Sequence, residues 1–401
     1  MILNEISSHC FFPMENKIQN YAWGSASSMH DLFGFCNENN QPQAEVWMGT
    51  HPNGCSSVCV EQYSMALSDL INIDMPAYLS TKTAAKFGDL PFLFKILAAD
   101  SALSIQVHPS KEDAETGFEK EQQAGIPLDA AHRNYKDPNH KPELVYALTD
   151  YQAMNGFREY KAIVEAFEAL NIPELEELVT AFKQEQNSLG LEQFFSQLLT
   201  LEDAQKRSAI GKLVEFAQHK AGNEIYDLII ELSKQYPGDI GLFAPLILNV
   251  ITLKPGEAMF LSARTPHAYI KGTGLEIMAN SDNVLRAGLT PKHMDVDELV
   301  KCTDFVPKPF DSLCLAAKTQ GCQQAYPIPV SDFKFAILHQ PNRELVNIES
   351  AEILMAIDED LTLIGSNGES LTATKGQSIF VPAYANCYKV TSSGRVARAF
   401  S

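Results

Sequence analysis

The sequence predicts a mainly β protein interrupted by one all-helical segment, and three observations carry that reading. Short apolar runs separated by Gly and Pro turns fill the chain up to about Gly156 and return after Gly238. Between about Glu159 and Tyr236 the apolar residues instead recur three and four apart. Neither a G-x-x-x-x-G-K-[ST] loop nor a G-x-G-x-x-G opening a helix occurs, so a nucleotide-binding α/β sheet has little support.

In the first part, "AEVWMG", "SSVCV", "LPFLFKILA", "LSIQVHP" and "ELVYALT" are strand candidates, each short and bounded by turn residues. The middle part reads as helices over "EYKAIVEAFEAL", "PELEELVTAFKQEQ", "LEQFFSQLLTL", "DAQKRSAIGKLVEFAQHKA" and "NEIYDLIIELSKQY", with Pro173, Gly190 and Pro237 as breaks. After Gly238 the strands "LILNVITL", "AMFLSA", "AYIKG" and "LEIMANSDNVLRAG" follow at short, regular intervals, which suggests a barrel or jelly roll. A weak internal echo supports two such units. "KPGEAMFLSARTPHAYI" (254–270) and "TKGQSIFVPAYANCYKV" (374–390) share a turn, a Gly, an apolar strand and an aromatic-bearing strand, but the second copy lacks the histidine.

A chain of 401 residues with 45% hydrophobic residues can bury more than one core. Its net charge of −19 argues against general attraction to nucleic acid or an anionic membrane surface. The longest apolar stretch, "GLFAPLILNVITL", is too short to span a bilayer. Glu5 stands where a secretory signal would carry positive charge, and a cytoplasmic location is expected. The eight cysteines are scattered, with Cys55 and Cys59 a lone C-x-x-x-C, so free thiols are expected.

In "SIQVHP", strand alternation aims Ser104, Gln106 and His108 to one side and Ile105 and Val107 to the other. A lone inward histidine is usually a hydrogen-bonded core residue. Here "NHKPE" adds His140, Lys141 and Glu143 at the entry to one strand, and "TPHAY" adds His267 at the entry to another. Imidazoles with one carboxylate suit zinc, and also iron, manganese or cobalt.

These segments, with "YAWGS", "GFRE" and the block "TPHAYIKGTGLEIMANSDNVLRAGLTPKHMDV", resemble the type I phosphomannose isomerases, collinearly from about Tyr21 to Val300 and less distinctly beyond. The resemblance implies a zinc-dependent interconversion of mannose 6-phosphate and fructose 6-phosphate on a cupin fold. That fold carries a helical insertion and a second, metal-free cupin-like domain, giving expected divisions of 1–156 with 238–320, 157–237 and 321–401. It places the metal ligands on Gln106, His108, Glu143 and His267, and an active-site arginine on Arg286. Ser104 and Lys292 become candidate phosphate contacts. The proton-transfer group is left open among Lys141, His140, Asp282 and Glu276.

The chemistry wants such residues. Moving a proton between C2 and C1 through an enediol needs an acid/base reaching both carbons and a positive charge beside the oxyanion. Lys141 is a sensible base near a dication, with Asp282 and Arg286 four apart on one face if their strand is unbroken. Arg286 and Asp282 could equally pair with each other, and Glu276 could orient a histidine ligand. Lys292 and Lys95 read either as surface cations or as substrate contacts, and Trp23 either as a stacking face for a sugar or as core. The helical insert reads as a wall or lid over the site. A phosphosugar is the expected partner and the chain is expected to act as a monomer. Two other classes remain: a metal cupin of different chemistry, such as an iron oxygenase, and a non-catalytic sugar-binding cupin, against which stands the cost of burying so many ionisable groups.

Overall fold

A computed structural model describes residues 9–60 and 63–401 of the chain. The reading of Glu5 lies outside the described residues.

The apolar runs become strands of three sheets. The first is ordered Lys17–Gln19, Glu45–Met48, Phe92–Ala99, His267–Ala279, Tyr151–Phe157, Leu248–Leu253, and the shorter strands Gln106–Val107, Leu285–Arg286, Glu143–Ala147 and Ala258–Leu261 join this path. His267–Ala279 is its spine: residues 267–271 pair with Tyr151–Phe157, and 272–279 pair with Phe92–Ala99. A register shift between Tyr269 and Lys271 marks the change of partner. Gly272 sits there at φ +127, where a Cβ would lie 2.5 Å from the Asp150 carbonyl oxygen. Glycine is required both by the backbone and by the space.

A second sheet of nine strands is built mainly from residues beyond 318, and a third, of four strands, holds Glu344–Asn347, Cys387–Ser392, Leu361–Gly365 and Ser370–Ala373. Leu354, Leu361, Leu363, Ile379, Tyr388 and Val390 fill the space between them. The first strand among the described residues, Phe12–Glu15, belongs to this second sheet, with Phe12 opposite Phe380 and Met14 opposite Val58. Phe92, Phe94, Ile96 and Leu275 pack with Phe335, Ile353 and Ala397 in one core that joins the first sheet to the second.

Five helices fill the middle segment: Tyr160–Leu170, Glu176–Gln184, Ser188–Leu199, Asp203–His219 and Glu224–Gln235. Their apolar stripes bury Phe167, Phe182, Phe194, Leu213 and Ile229. Gly190 is not a break, as the spacing suggested. The helix runs through it, because its N–H is taken by the Asn187 cap at 2.9 Å and a Cβ there would lie 1.8 Å from the Glu185 carbonyl oxygen. The strand expected over "LILNVITL" begins only at Leu248; Ile240–Phe243 and Ala244–Ile247 are short helical turns, with Pro245 in the position it tolerates near a helix start.

The helix Lys111–Gln123 was not legible from periodicity, since "KEDAETGFEKEQQ" is almost wholly polar. Its start is fixed by a capping box between Ser110 and Asp113 and by an ion pair from Arg264 to Asp113. All eight cysteines are free. No described helix is long and apolar enough to cross a membrane.

Candidate metal centre and active site

Only Gln106 and Val107 of "SIQVHP" form a strand, yet the alternation holds. Ile105 and Val107 enter the core shared with the helices, each worth about 1.5–3 kcal/mol of burial, and so Gln106 faces the other way. Gln106 lies opposite His267 on one side and Arg286 on the other, and His267 lies opposite Asn155. Residues directly opposite in antiparallel strands share a face. One row across four strands therefore reads Asn155, His267, Gln106, Arg286.

His108 and Glu143 complete a cluster beside this row. The ligating atoms of His108, Glu143 and His267 lie within 4.8 Å of one another, and the three residues are 1%, 2% and 3% exposed. Each imidazole is oriented by a backbone carbonyl: His108 Nδ1 donates to Asn283 O at 2.7 Å and His267 Nδ1 to Thr265 O at 2.9 Å. A carbonyl only accepts, so both rings carry their proton on Nδ1 and turn the Nε2 lone pair towards Glu143. The Nε2 atoms stand 3.3 and 3.5 Å from the two Glu143 oxygens. His108 Nε2 is buried without a hydrogen-bond partner. Burial holds this imidazole down at about 4, outweighing the pull of Glu143, so it is neutral at physiological pH. An orphaned, buried, neutral imidazole nitrogen beside a second one and a carboxylate fits a borderline cation such as zinc, with the half-buried Gln106 at hand as a neutral fourth donor.

Beyond the cluster runs a buried chain of charges. Burial raises Glu143, but Lys141, 3.2 Å away, and His108 more than offset this and hold the carboxyl well below the usual range. The Tyr269 hydroxyl lies 3.1 Å from Glu143 and 2.9 Å from Glu276, so a single hydrogen serves two carboxylates. Glu276 pairs with Lys95 at 2.9 Å, and its carboxyl is pushed up chiefly by burial. Lys95 reaches on to Glu45 at 3.7 Å and lies over the Trp47 ring at 5.3 Å. Burial alone would lower the Lys95 ammonium, but Glu276, Glu45 and Glu143 together raise it.

Lys95 is therefore not a surface cation: the first sheet buries it against acids from two neighbouring strands, a pairing invisible in its local sequence. The unbroken strand supposed for Asp282 and Arg286 is absent, since residues 280–284 are irregular and only Leu285–Arg286 is paired. Nor do those two side chains pair. Asp282, 41% exposed, takes bonds from His51 at 3.3 Å and Asn53 at 3.1 Å. Half-buried Arg286 makes no hydrogen bond or ion pair among the described residues, and burial lowers its pKa. Exposed Lys292 feels the Arg286 charge. His140 is turned to Asp332 at 3.0 Å. Ser104 lies before the strand and accepts from Gln106 Nε2 at 3.4 Å. Trp23 is half-buried and stacks on Tyr21 at 5.7 Å between centroids.

Reading the sequence missed His51, which is 5% exposed and packed edge-on against Trp47. It also missed Tyr269, whose place two residues after His267 puts it on the same face at the start of the strand, a signal that was available.

The chain matches the family described as "Phosphomannose isomerase type I, catalytic domain" over residues 11–160 and "Phosphomannose isomerase type I, helical insertion domain" over residues 169–248. It is 45% identical to the mannose-6-phosphate isomerase of Escherichia coli K12 over 388 residues, covering 96% of this chain and 98% of that protein. The Homo sapiens mannose-6-phosphate isomerase is 36% identical over 409 residues, covering 93% of both. Among solved structures, a mutant of phosphomannose isomerase from Salmonella typhimurium superposes with a TM-score of 0.94 at 43% identity, covering 98% of this chain and all of that one. A zinc-bound mannose 6-phosphate isomerase superposes with a TM-score of 0.92 at 43% identity and the same coverage. The chain belongs to the type I phosphomannose isomerase family.

Proposed function

We propose that this chain interconverts mannose 6-phosphate and fructose 6-phosphate with one zinc ion, held by His108, Glu143, His267 and Gln106. The observation that carries the reading is the pair of buried imidazoles, each tied through Nδ1 to a backbone carbonyl, presenting Nε2 to one carboxylate. The bound cation would supply Lewis acidity to an enediolate developing at O1 and O2.

The chain's own groups do the rest. Arg286, half-buried without an internal acceptor and in register with Gln106, offers fixed positive charge to the oxyanion or the phosphate. Lys141, 12% exposed beside Glu143, carries the proton between C2 and C1. Lys141 is paired too, but its partner is the proposed ligand Glu143, whereas three rivals are paired with groups outside the ligand set: His140 with Asp332, Glu276 with Lys95, and Asp282 with His51. Of these, Asp282 is open enough to take part in ring opening. Lys292 and Ser104 are assigned to the phosphate, and Trp23 to a sugar face. Lys95 acts through the field of its buried ion pair rather than by direct contact.

We also divide the chain into a catalytic unit (1–156 with 238–320), a helical insertion (157–237) and a C-terminal unit (321–401); the run of helices between Tyr160 and Gln235 supports the insertion, while Phe12–Glu15, Ser57–Val60 and Tyr63–Ala66 of the first unit lend strands to the sheet of the last. In the C-terminal unit, Glu352, Arg398 and Tyr388 satisfy one another in the interior. We further infer a monomer acting in the cytoplasm.

The test is fructose 6-phosphate formation from mannose 6-phosphate, before and after treatment with a strong chelator. Activity should vanish and return with zinc. Activity untouched by chelation would overturn the metal assignment, and no isomerisation at all would overturn the function.

A further inference from the structure

Asn283 is the most heavily bonded side chain near the site, and the chemistry above gives it no part. It is 0% exposed and lies in the irregular segment between Ala279 and Leu285. Its carbonyl oxygen accepts from His108 Nδ1 at 2.7 Å. Its side-chain oxygen accepts from the backbone N–H of Lys136 at 2.6 Å and lies 3.3 Å from that of Asp137. Its Nδ2 donates to the carbonyls of Asp137 at 2.7 Å and Asn139 at 2.8 Å. The Ser281 hydroxyl accepts its backbone N–H at 3.2 Å and donates to Asn139 O at 3.1 Å, which closes the ring of bonds.

One residue thus ties together two parts of the site that adjoin two different partners of the strand His267–Ala279: the exit from Gln106–Val107 and the approach to Glu143–Ala147. Its main chain fixes the tautomer and tilt of His108. Its side chain clamps residues 136–139, which run directly into Lys141 and Glu143. That connection has no regular structure of its own between Ala124 and Lys141, so its course near the site depends on such bonds. Four of the amide's five polar contacts go to backbone and the fifth, at 3.4 Å, to the Asp137 carboxylate on the same connection, which fits holding a path rather than touching a substrate.

We propose that Asn283 is a positioning residue: it sets the distance of Lys141 and Glu143 from His108, and with it both the affinity for the cation and the rate of proton transfer. This rests on the function proposed above. Groups behind metal ligands typically govern about 10–100-fold in affinity or activity, and a displaced base loses rate because transfer needs contact geometry.

The experiment compares parent, Asn283→Ala and Asn283→Asp, with Glu121→Gln as a stability control. Glu121 accepts from the N–H groups of Asn134 and Tyr135 and so holds the same connection farther from the site. Zinc affinity is measured by chelator competition, alongside kcat, KM and thermal midpoint at saturating zinc. Asn283→Ala should weaken zinc about 10–100-fold and lower kcat at saturating zinc at least 10-fold, with KM changed less than threefold. Asn283→Asp keeps the shape and the acceptor but turns a carboxylate on two carbonyls, so it should do the same even if the alanine variant does not fold. Glu121→Gln should lower the midpoint while leaving zinc affinity and kcat within twofold. Asn283 variants that only lower the midpoint, as the control does, would overturn the proposal. A parent that binds no zinc would overturn the metal assignment beneath it instead.

Discussion

Replacing Lys95 with methionine separates a buried counter-ion from a surface cation or substrate contact. At an effective dielectric of about 20, its attraction to Glu276 at 2.9 Å amounts to about 6 kcal/mol and to Glu45 at 3.7 Å to about 4 kcal/mol. Desolvation of the three ions cancels most of that gross figure. Removing only the cation is different, because Glu276 and Glu45 stay buried on neighbouring strands without a positive charge. Breaking a buried pair from one side costs about 3–5 kcal/mol. The double variant Lys95→Met with Glu276→Gln removes one of those charges and keeps an acceptor for the Tyr269 hydroxyl, so it should recover to within about 2 kcal/mol of the parent. Equilibrium urea unfolding of zinc-loaded protein reads this through the chain's two tryptophans, since Lys95 sits over Trp47 and Trp23 packs on the same sheet's core. A single variant that loses less than about 1 kcal/mol while raising KM would refute the counter-ion argument.

The other predictions address the site and the fold. His267→Ala should lose bound zinc, whereas Arg286→Ala should keep one zinc per chain and lose at least about 100-fold in kcat; metal analysis with steady-state kinetics would expose the reverse pattern. In metal-stripped protein, burial holds His108 down from 6.5 to about 4. The unfolded state then binds more protons across that window, so stability should fall by up to about 3 kcal/mol as pH drops through it; a urea midpoint equally pH-dependent in His108→Asn would refute this. Gly190→Ala should destabilise by at least about 1 kcal/mol despite alanine's better helix propensity, because its Cβ meets the Glu185 carbonyl oxygen; a raised melting temperature would refute it.

What could be read along the chain was whatever has a local period or a local cap. Alternation around Gln106 and His108 assigned their face correctly because Ile105 and Val107 need a core on the other side. The helices from Tyr160 to Gln235 followed from apolar spacing. The polar helix Lys111–Gln123 did not, because its register is set by Arg264 and a capping box rather than by an apolar stripe.

Local pattern settled which residue types enter the strands and helices, and the motifs pointed to the family. Tertiary structure alone decided the partners. Lys95 became a counter-ion because a strand 181 residues away brings Glu276 to its side. Phe12–Glu15 joined the C-terminal sheet because Ser378–Val381 offered it an edge. Asn283 became a junction because two irregular segments, with no periodicity to announce them, must satisfy buried backbone groups against each other. Hydrophobic pattern is local and survives in one dimension; charge pairing and backbone satisfaction depend on distances that exist only once the chain has folded.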